Sequence, residues 1–386
     1  MPINSSEDAS QPLSGLTVLE LGHSVAAPFA GHVLADLGAK VVKVEKPESG
    51  DDTRAWGPPF VNGTACTFLA LNRNKYSAAL DLKNAHDLAA LKAFILNEVD
   101  VVFQNMRPGA VEKMGLDAKS LQDLKPELIY CNMRAFGARG PMADLPGYDP
   151  LMQAFGGIMS VTGQPDAEPA RVGPSLVDVG TGMWAVIGIL CALQRRHACG
   201  RGCVIDSSLF ETSLSWMQSF SAGFLATGKV PGRRGTSHPT LVPYRVFKAS
   251  DDYLMIAAGN DGLFGRLAKA LGHPEWIADE RMATNPQRVQ NRELVDDTVQ
   301  GVIGSRPRNE WVEVLERAGV PCAPLQTLDQ ALNHPQTVAL EIVQPTPDGS
   351  ASLIGLPISF DGSRPALRKS PPGLGDDTEL ISKYRN

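Results

Sequence analysis

Over the first half of the chain, runs of four to six apolar residues alternate with amphipathic stretches, as strands and helices covering a parallel sheet would. Residues 16–21 read as a buried strand, 28–37 as a helix and 40–45 as a second strand. Strand, helix and strand within about 30 residues form a βαβ unit, which implies parallel pairing. Further strands are expected at 99–103, 128–133 and 203–206, and a helix from Gly147 to about Met159. The apolar run 183–193 predicts another helix, preceded by an extended segment and a turn holding Asp178, Gly180 and Gly182. Ser208 and Glu211 stand at capping-box spacing for a helix running towards Phe220. From His238 the pattern changes to a hairpin over 242–258, helices at 263–271, 292–303 and 309–318, and a second hairpin over 341–360. The expected organisation is a large α/β domain from 1–205 and 335–386, a linker helix and glycine-rich loop over 206–237, and a small α+β domain over 238–334.

A first βαβ unit suggests a nicotinamide dehydrogenase. The first crossover turn argues against it: Gly22-His23-Ser24-Val25-Ala26-Ala27 has one glycine where the dinucleotide fingerprint needs three. Basic residues instead recur just after strands, at Lys46, Arg54, Arg73, Lys75, Arg107 and Arg134, where they could converge on phosphates or simply be solvated. Asp178, near a helix N-terminus, is favoured by the helix dipole as an ionised, approachable carboxylate, with a plain helix cap as the alternative. Asp149 reads as a cap and Tyr148 as a packed aromatic.

Composition narrows the function. A chain of 386 residues is long enough for two domains, and a net charge of −6 gives no reason to expect nucleic-acid binding. The six cysteines show no paired spacing, and His197, Cys199 and Cys203 lack a second ligand pair, so reduced thiols and no metal are expected. Residues 1–11 are polar and acidic, unlike a targeting segment, and the apolar run 183–193 is shorter than the roughly 20 residues of a membrane span. A cytoplasmic protein without membrane contact is the expectation.

Several motifs occur together in order: Leu19-Glu20-Leu21-Gly22 with Pro28, Lys43-Val44-Glu45-Lys46-Pro47, Leu71-Asn72-Arg73-Asn74-Lys75, Asn105-Met106-Arg107-Pro108-Gly109 and Val177-Asp178-Val179-Gly180-Thr181-Gly182. In these the chain resembles the family III CoA-transferases, of the formyl-CoA transferase and carnitine CoA-transferase type, from about Leu13 to Gly375. The resemblance implies a Rossmann-like large domain built from both chain ends, a smaller domain and an interlocked homodimer. It also implies Asp178 as the catalytic aspartate, and His23, Ser24, Val25, Lys46, Lys75, Asn105, Met106, Lys113 and Arg134 as the lining of the coenzyme A site. Formyl-CoA transferase has glutamine at the position of Val25, so a formyl-CoA and oxalate pair is not implied. The partners are an acyl-CoA and a carboxylic acid, with no permanently bound cofactor. A carboxylate attacking a thioester passes through oxyanions, for which backbone N–H groups around Gly180 and Gly182 are candidate donors. The loop with Gly232 and Gly235 would cover the intermediate. The stretch from His238 to Tyr244 resembles the branch pairing succinyl-CoA with dicarboxylates, and Arg233, Arg234 or Arg245 could hold a distal carboxylate. The alternative is an α-methylacyl-CoA racemase, although those enzymes carry His-Asp where this chain has Tyr148-Asp149.

Overall fold

The computed structural model describes residues 11–385. Its central sheet has six parallel strands: β1 (Thr17–Leu21), β2 (Lys40–Glu45), β3 (Tyr76–Ala79), β4 (Val101–Gln104), β5 (Ile129–Arg134) and β6 (Val204–Ser208). Their order is β3-β2-β1-β4-β5-β6, so the connections change direction between β1 and β4. Open α/β sheets bind ligands at this switch point, beyond the carboxyl ends of the strands. β1, β2, β4 and β5 fall within two residues of their expected positions because their apolar runs are buried on both faces. β3 was not foreseen, since Tyr-Ser-Ala-Ala carries little strand signal.

The first crossover helix, α1 (Ala26–Asp36), starts two residues earlier than expected. The expected long helix from Gly147 is shorter, α2 (Asp149–Phe155), ending at Gly156. The apolar run after Asp178 belongs to α3 (Leu176–Cys199), a helix that begins before the glycines. The predicted turn at Gly180 and Gly182 is therefore helix interior, and both residues are buried. A Cβ on Gly182 would stand 2.7 Å from the Ala26 carbonyl oxygen of α1, and one on Gly180 would stand 2.8 Å from Trp216 Nε1 of α4 (Leu209–Trp216). These glycines let α3 touch two other helices, which outweighs their poor helix propensity. By length and composition α3 could also cross a membrane, and half of its most apolar window is buried within the protein. At the start of α4, the Ser208 side chain accepts the Glu211 N–H at the expected capping spacing.

The chain divides into two compact units. One comprises the residues up to Ile158, Val172–Thr227 and those from Pro335 on; the other comprises Met159–Arg171 and Gly228–His334. The helix expected in the linker thus belongs to the large unit, the glycine-rich loop from Gly228 to the small one, and residues 159–171 to the small one as well. In the large unit the C-terminal segment returns to the edge strand: Asn74 N–H donates to Lys369 O at 2.9 Å, Ser77 N–H to Asp377 Oδ2 at 2.9 Å and Ala79 N–H to Thr378 Oγ1 at 3.0 Å. The small unit has an antiparallel sheet ordered β9-β8-β7, with β7 (Tyr244–Lys248), β8 (Tyr253–Ala257) and a short β9 (Cys322–Pro324). Its core includes Phe247, Leu254, Phe264, Val295, Val299 and Trp311.

Candidate active site

Three strand-end loops meet at the switch point, and a buried charge network fixes them. Lys43 stands opposite Glu20 in the register of β2 and β1, with its Nζ 2.8 Å from Glu20 Oε1. The same ammonium donates to Gly22 O at 2.7 Å and pairs with Asp51 Oδ2 at 2.8 Å. Burial alone would push Lys43 towards the neutral form, but Glu20, Asp51 and Glu45 hold its pKa above the ordinary lysine range. Asp51 in turn accepts the Ser24 N–H at 3.2 Å, and Ser24 has a left-handed φ of 69°. Burial would raise the Asp51 pKa, yet Lys43 and the Thr53 donors bring it down to about 2. On the other side of the switch, His23 N–H donates to Asn105 Oδ1 at 3.0 Å and Asn105 Nδ2 donates to His23 O at 2.8 Å. The turn after β1 is thus tied to the loops after β2 and β4.

Asp178 occupies the first turn of α3, whose N-cap residue Ser175 makes no side-chain cap. The cap comes from α2: Asp149 Oδ2 accepts the Val177 N–H at 2.7 Å and the Asp178 N–H at 3.2 Å. Gln153 Nε2 donates to Asp149 Oδ1 at 2.6 Å, and Gln153 Oε1 accepts the Val172 N–H at 2.8 Å. Asp149 is buried, so it takes up the favourable end of the helix dipole from inside the protein. The half-buried Asp178 carboxyl receives no hydrogen bond from any described residue. Its pKa is pushed up to about 7, by burial first and then by the negative charge of Asp149. The sequence-based expectation of a carboxylate kept ionised by the helix end is thereby corrected. Gly182, one turn along from Asp178, lies against Ala26 and Phe29, so an early turn of α3 packs on the first turn of α1.

Other expected site residues separate by exposure. His23 is exposed, and Ser24, Val25, Asn105 and Met106 are half-buried around the same turn, with Met106 N–H donating to Gln104 Oε1 at 2.7 Å. Lys46, Arg107 and Lys113 are exposed, on the loops after β2 and β4 and on the short helix Ala110–Met114. Arg134 ends β5 half-buried, with its Nε unpartnered among the described residues. Lys75 does not fit a phosphate role. It is fully buried, pairs with Glu20 Oε2 at 2.8 Å, donates to Pro28 O and Asn72 Oδ1, and is lowered by burial to about 8. Arg73 is likewise committed to Asp36, and Arg54 to Glu45 and Pro372 O.

Gly180 and Gly182 are also corrected as oxyanion donors. Helix-interior N–H groups serve intrahelical carbonyls, and the free donors ahead of them are taken by Pro174 O, Asp149 and Ser175 O. No side chain caps α1, and because Pro28 has no N–H and the Phe29 N–H donates to Val25 O, the Ala26 and Ala27 N–H groups are the alternative at this position. Gly232 and Gly235 lie on a loop of the small unit. There Gly235 N–H donates to Gly163 O at 2.8 Å, and Arg233 donates to the carbonyls of Gln164, Pro165 and Ala167. The role of Asp149 in capping α3 is not legible in the sequence, because its partners lie 28 and 29 residues away and no local spacing reports them.

A doubly wound sheet, a carboxyl of raised pKa one helical turn from the contact with α1 and exposed basic residues on the strand-end loops suit an α/β protein that binds an anionic ligand. The chain belongs to CoA-transferase family III, whose sequence pattern matches residues 13–378, and it is a CoA-transferase. It is 36% identical to a mouse succinyl-CoA:glutarate CoA-transferase, covering 97% of this chain and 87% of that one. It is 37% identical to an acetyl-CoA:oxalate CoA-transferase of Acetobacter aceti (96% and 95% covered) and 37% identical to a succinate–glutarate CoA-transferase of Agrobacterium fabrum (95% and 93%). Among solved structures, a CAIB/BAIF family protein from Brucella suis superposes with a TM-score of 0.86 at 39% identity, covering 97% of this chain and all of that one.

Proposed function

We propose that this protein moves coenzyme A from succinyl-CoA to a dicarboxylic acid through covalent intermediates on Asp178. The carrying observation is the Asp178 carboxyl itself, free of hydrogen bonds among the described residues and raised to about 7, one helical turn from the contact of α3 with the first turn of α1. An ionised carboxylate of raised pKa is a better nucleophile than an ordinary aspartate. Its oxygen attacks the thioester carbonyl carbon, the C–S bond breaks, and CoA leaves as thiolate from a mixed anhydride. The thiolate attacks the aspartyl carbonyl, releasing the donor's carboxylate and leaving an aspartyl-CoA thioester. The acceptor carboxylate repeats the sequence in reverse and frees Asp178. The N–H groups opening α1 are the oxyanion donors in this scheme. His23, Ser24, Val25, Asn105 and Met106 shape the thioester end, and Lys46, Lys113 and Arg134 serve the phosphates.

The substrate class follows the relatives, two of whose names pair succinate and glutarate. A cytoplasmic homodimer without a resident cofactor is part of the same reading. Met183, Trp184, Ile187 and Leu190 leave an exposed apolar stripe on α3 suited to a second copy, and all six cysteines are free. The test is a screen of acyl-CoA donors against mono- and dicarboxylic acids, with deuterium uptake at the α-carbon followed in parallel. CoA exchange with dicarboxylates and no deuterium uptake is expected. Uptake without exchange would replace this reading with racemisation.

A further inference from the structure

A cavity of about 420 Å³ in the small unit is lined by arginines from three separate segments: Arg234 on the glycine-rich loop, Arg245 on β7, and Arg292 at the first turn of the helix Arg292–Ile303. A neighbouring arginine, Arg233, has a different task. Its guanidinium spends three donors on the carbonyls of Gln164, Pro165 and Ala167, at 3.0, 3.0 and 2.6 Å, and so ties the loop down. The next residue is thereby presented to the cavity.

The three remaining guanidinium groups are under-used. Arg245 donates to Val246 O at 3.2 Å and to Asp296 Oδ2 at 3.4 Å, and Arg292 donates to Pro239 O at 3.0 Å. Most of their N–H donors remain unspent. Asp296 is the buried carboxylate among them, with Oδ1 unpartnered, whereas Glu293 and Asp297 are exposed and screened by solvent. Four guanidinium groups, Arg233 included, thus meet three carboxylates around the cavity, of which Asp296 is the buried one. Arg292 also places positive charge at the positive end of its own helix, where the N-cap Asn291 makes no side-chain cap. Burial and the charges of Arg234 and Arg245 lower its pKa from the usual arginine range, even though Asp296 opposes them. Such an arrangement is relieved by an incoming anion, which planar guanidinium forks bind in bidentate fashion.

We propose that Arg234, Arg245 and Arg292 form an anion site for a small ligand bearing carboxylate or phosphate groups. A site of this size exceeds the needs of a single inorganic ion and suits a dicarboxylate or a phosphorylated nucleoside. The existence of the site rests on the small unit alone, whereas the choice between a dicarboxylate acceptor and the phosphates of CoA rests on the CoA-transfer reading.

Calorimetric titration of the full-length protein with glutarate, butyrate and adenosine 3′,5′-bisphosphate, one at a time, tests this without turnover. Glutarate or the bisphosphate binds, and Arg292→Gln weakens it at least tenfold while thermal stability is kept. Weakening of glutarate assigns the acceptor, and weakening of the bisphosphate assigns CoA. Arg245→Lys, which keeps a charge beside Asp296, provides a second variant should Arg292→Gln not fold, and loses affinity through its lost fork. Failure of the parent to bind either dianion, or unchanged binding of both in the variants, overturns the site. Absent CoA exchange in the wild type would instead overturn the proposed reaction and leave these titrations untouched.

Discussion

Asp149→Asn isolates the charge that helps to raise the Asp178 pKa. The amide oxygen can still accept the Val177 and Asp178 N–H groups, so the α3 cap survives while the negative charge and the hydrogen bond from Gln153 Nε2 are lost. Asp178 is displaced from 3.8 to about 7, with burial the larger cause and Asp149 the smaller. Asp149 therefore supplies less than half of the displacement, at most about 1.5 pH units, or about 2 kcal/mol of differential interaction. Because the nucleophile is the ionised form, wild-type kcat/KM for acyl-CoA rises with pH through about 7. In Asp149→Asn the midpoint of that rise moves down to between about 5.5 and 6.5, with the plateau little changed. The assay is initial-rate CoA exchange by chromatography from about pH 5 to about pH 9 at constant ionic strength. A midpoint that stays in place or moves upward would refute the coupling of these two carboxyls.

Other outcomes follow from the same geometry. Asp178→Ala abolishes transfer while circular dichroism and acyl-CoA binding stay close to wild type, since a nucleophile contributes little to ground-state affinity. Asp178→Asn alters stability with a definite sign. The raised pKa makes ionisation cost folding free energy progressively from about pH 4 to above pH 7, so the variant gains thermal stability at about pH 8 and little at about pH 4, on the order of 1–2 kcal/mol after solvent screening. Gly182→Val places side-chain atoms against the Ala26 carbonyl and costs about 1–3 kcal/mol, read by denaturant unfolding. Lys75→Ala leaves Glu20 without one of its two buried partners, so it destabilises by about 3–5 kcal/mol. A stable Lys75→Ala protein with selectively weakened CoA binding would restore the phosphate role rejected above.

How much could be read from the chain depended on the range of the interaction. Buried strands such as Lys40–Glu45 announce themselves by local apolar runs, and the helix Arg292–Ile303 by its periodicity, so both lie where the pattern puts them. Gly180 and Gly182 signal a turn because glycine is a local breaker, and only contact with Trp216 and Ala26 explains them inside a helix. Lys75 follows a strand-end pattern suited to phosphate binding, yet Glu20, more than fifty residues earlier, claims it. Asp149 was legible as a cap but not as the cap of another helix, since that pairing exists only once α2 and α3 are packed. The proposed nucleophile stood out in the motif, whereas its protonation equilibrium is a property of burial and of a neighbour that the motif does not contain.

Peptide mapping by mass spectrometry of enzyme quenched with acid during turnover of succinyl-CoA and glutarate tests the covalent role of Asp178 most directly. The peptide containing Asp178 is expected to carry CoA in thioester linkage, a label lost on brief hydroxylamine treatment and absent from Asp178→Ala. An unmodified Asp178 peptide in samples where glutaryl-CoA accumulates at the steady rate would contradict it.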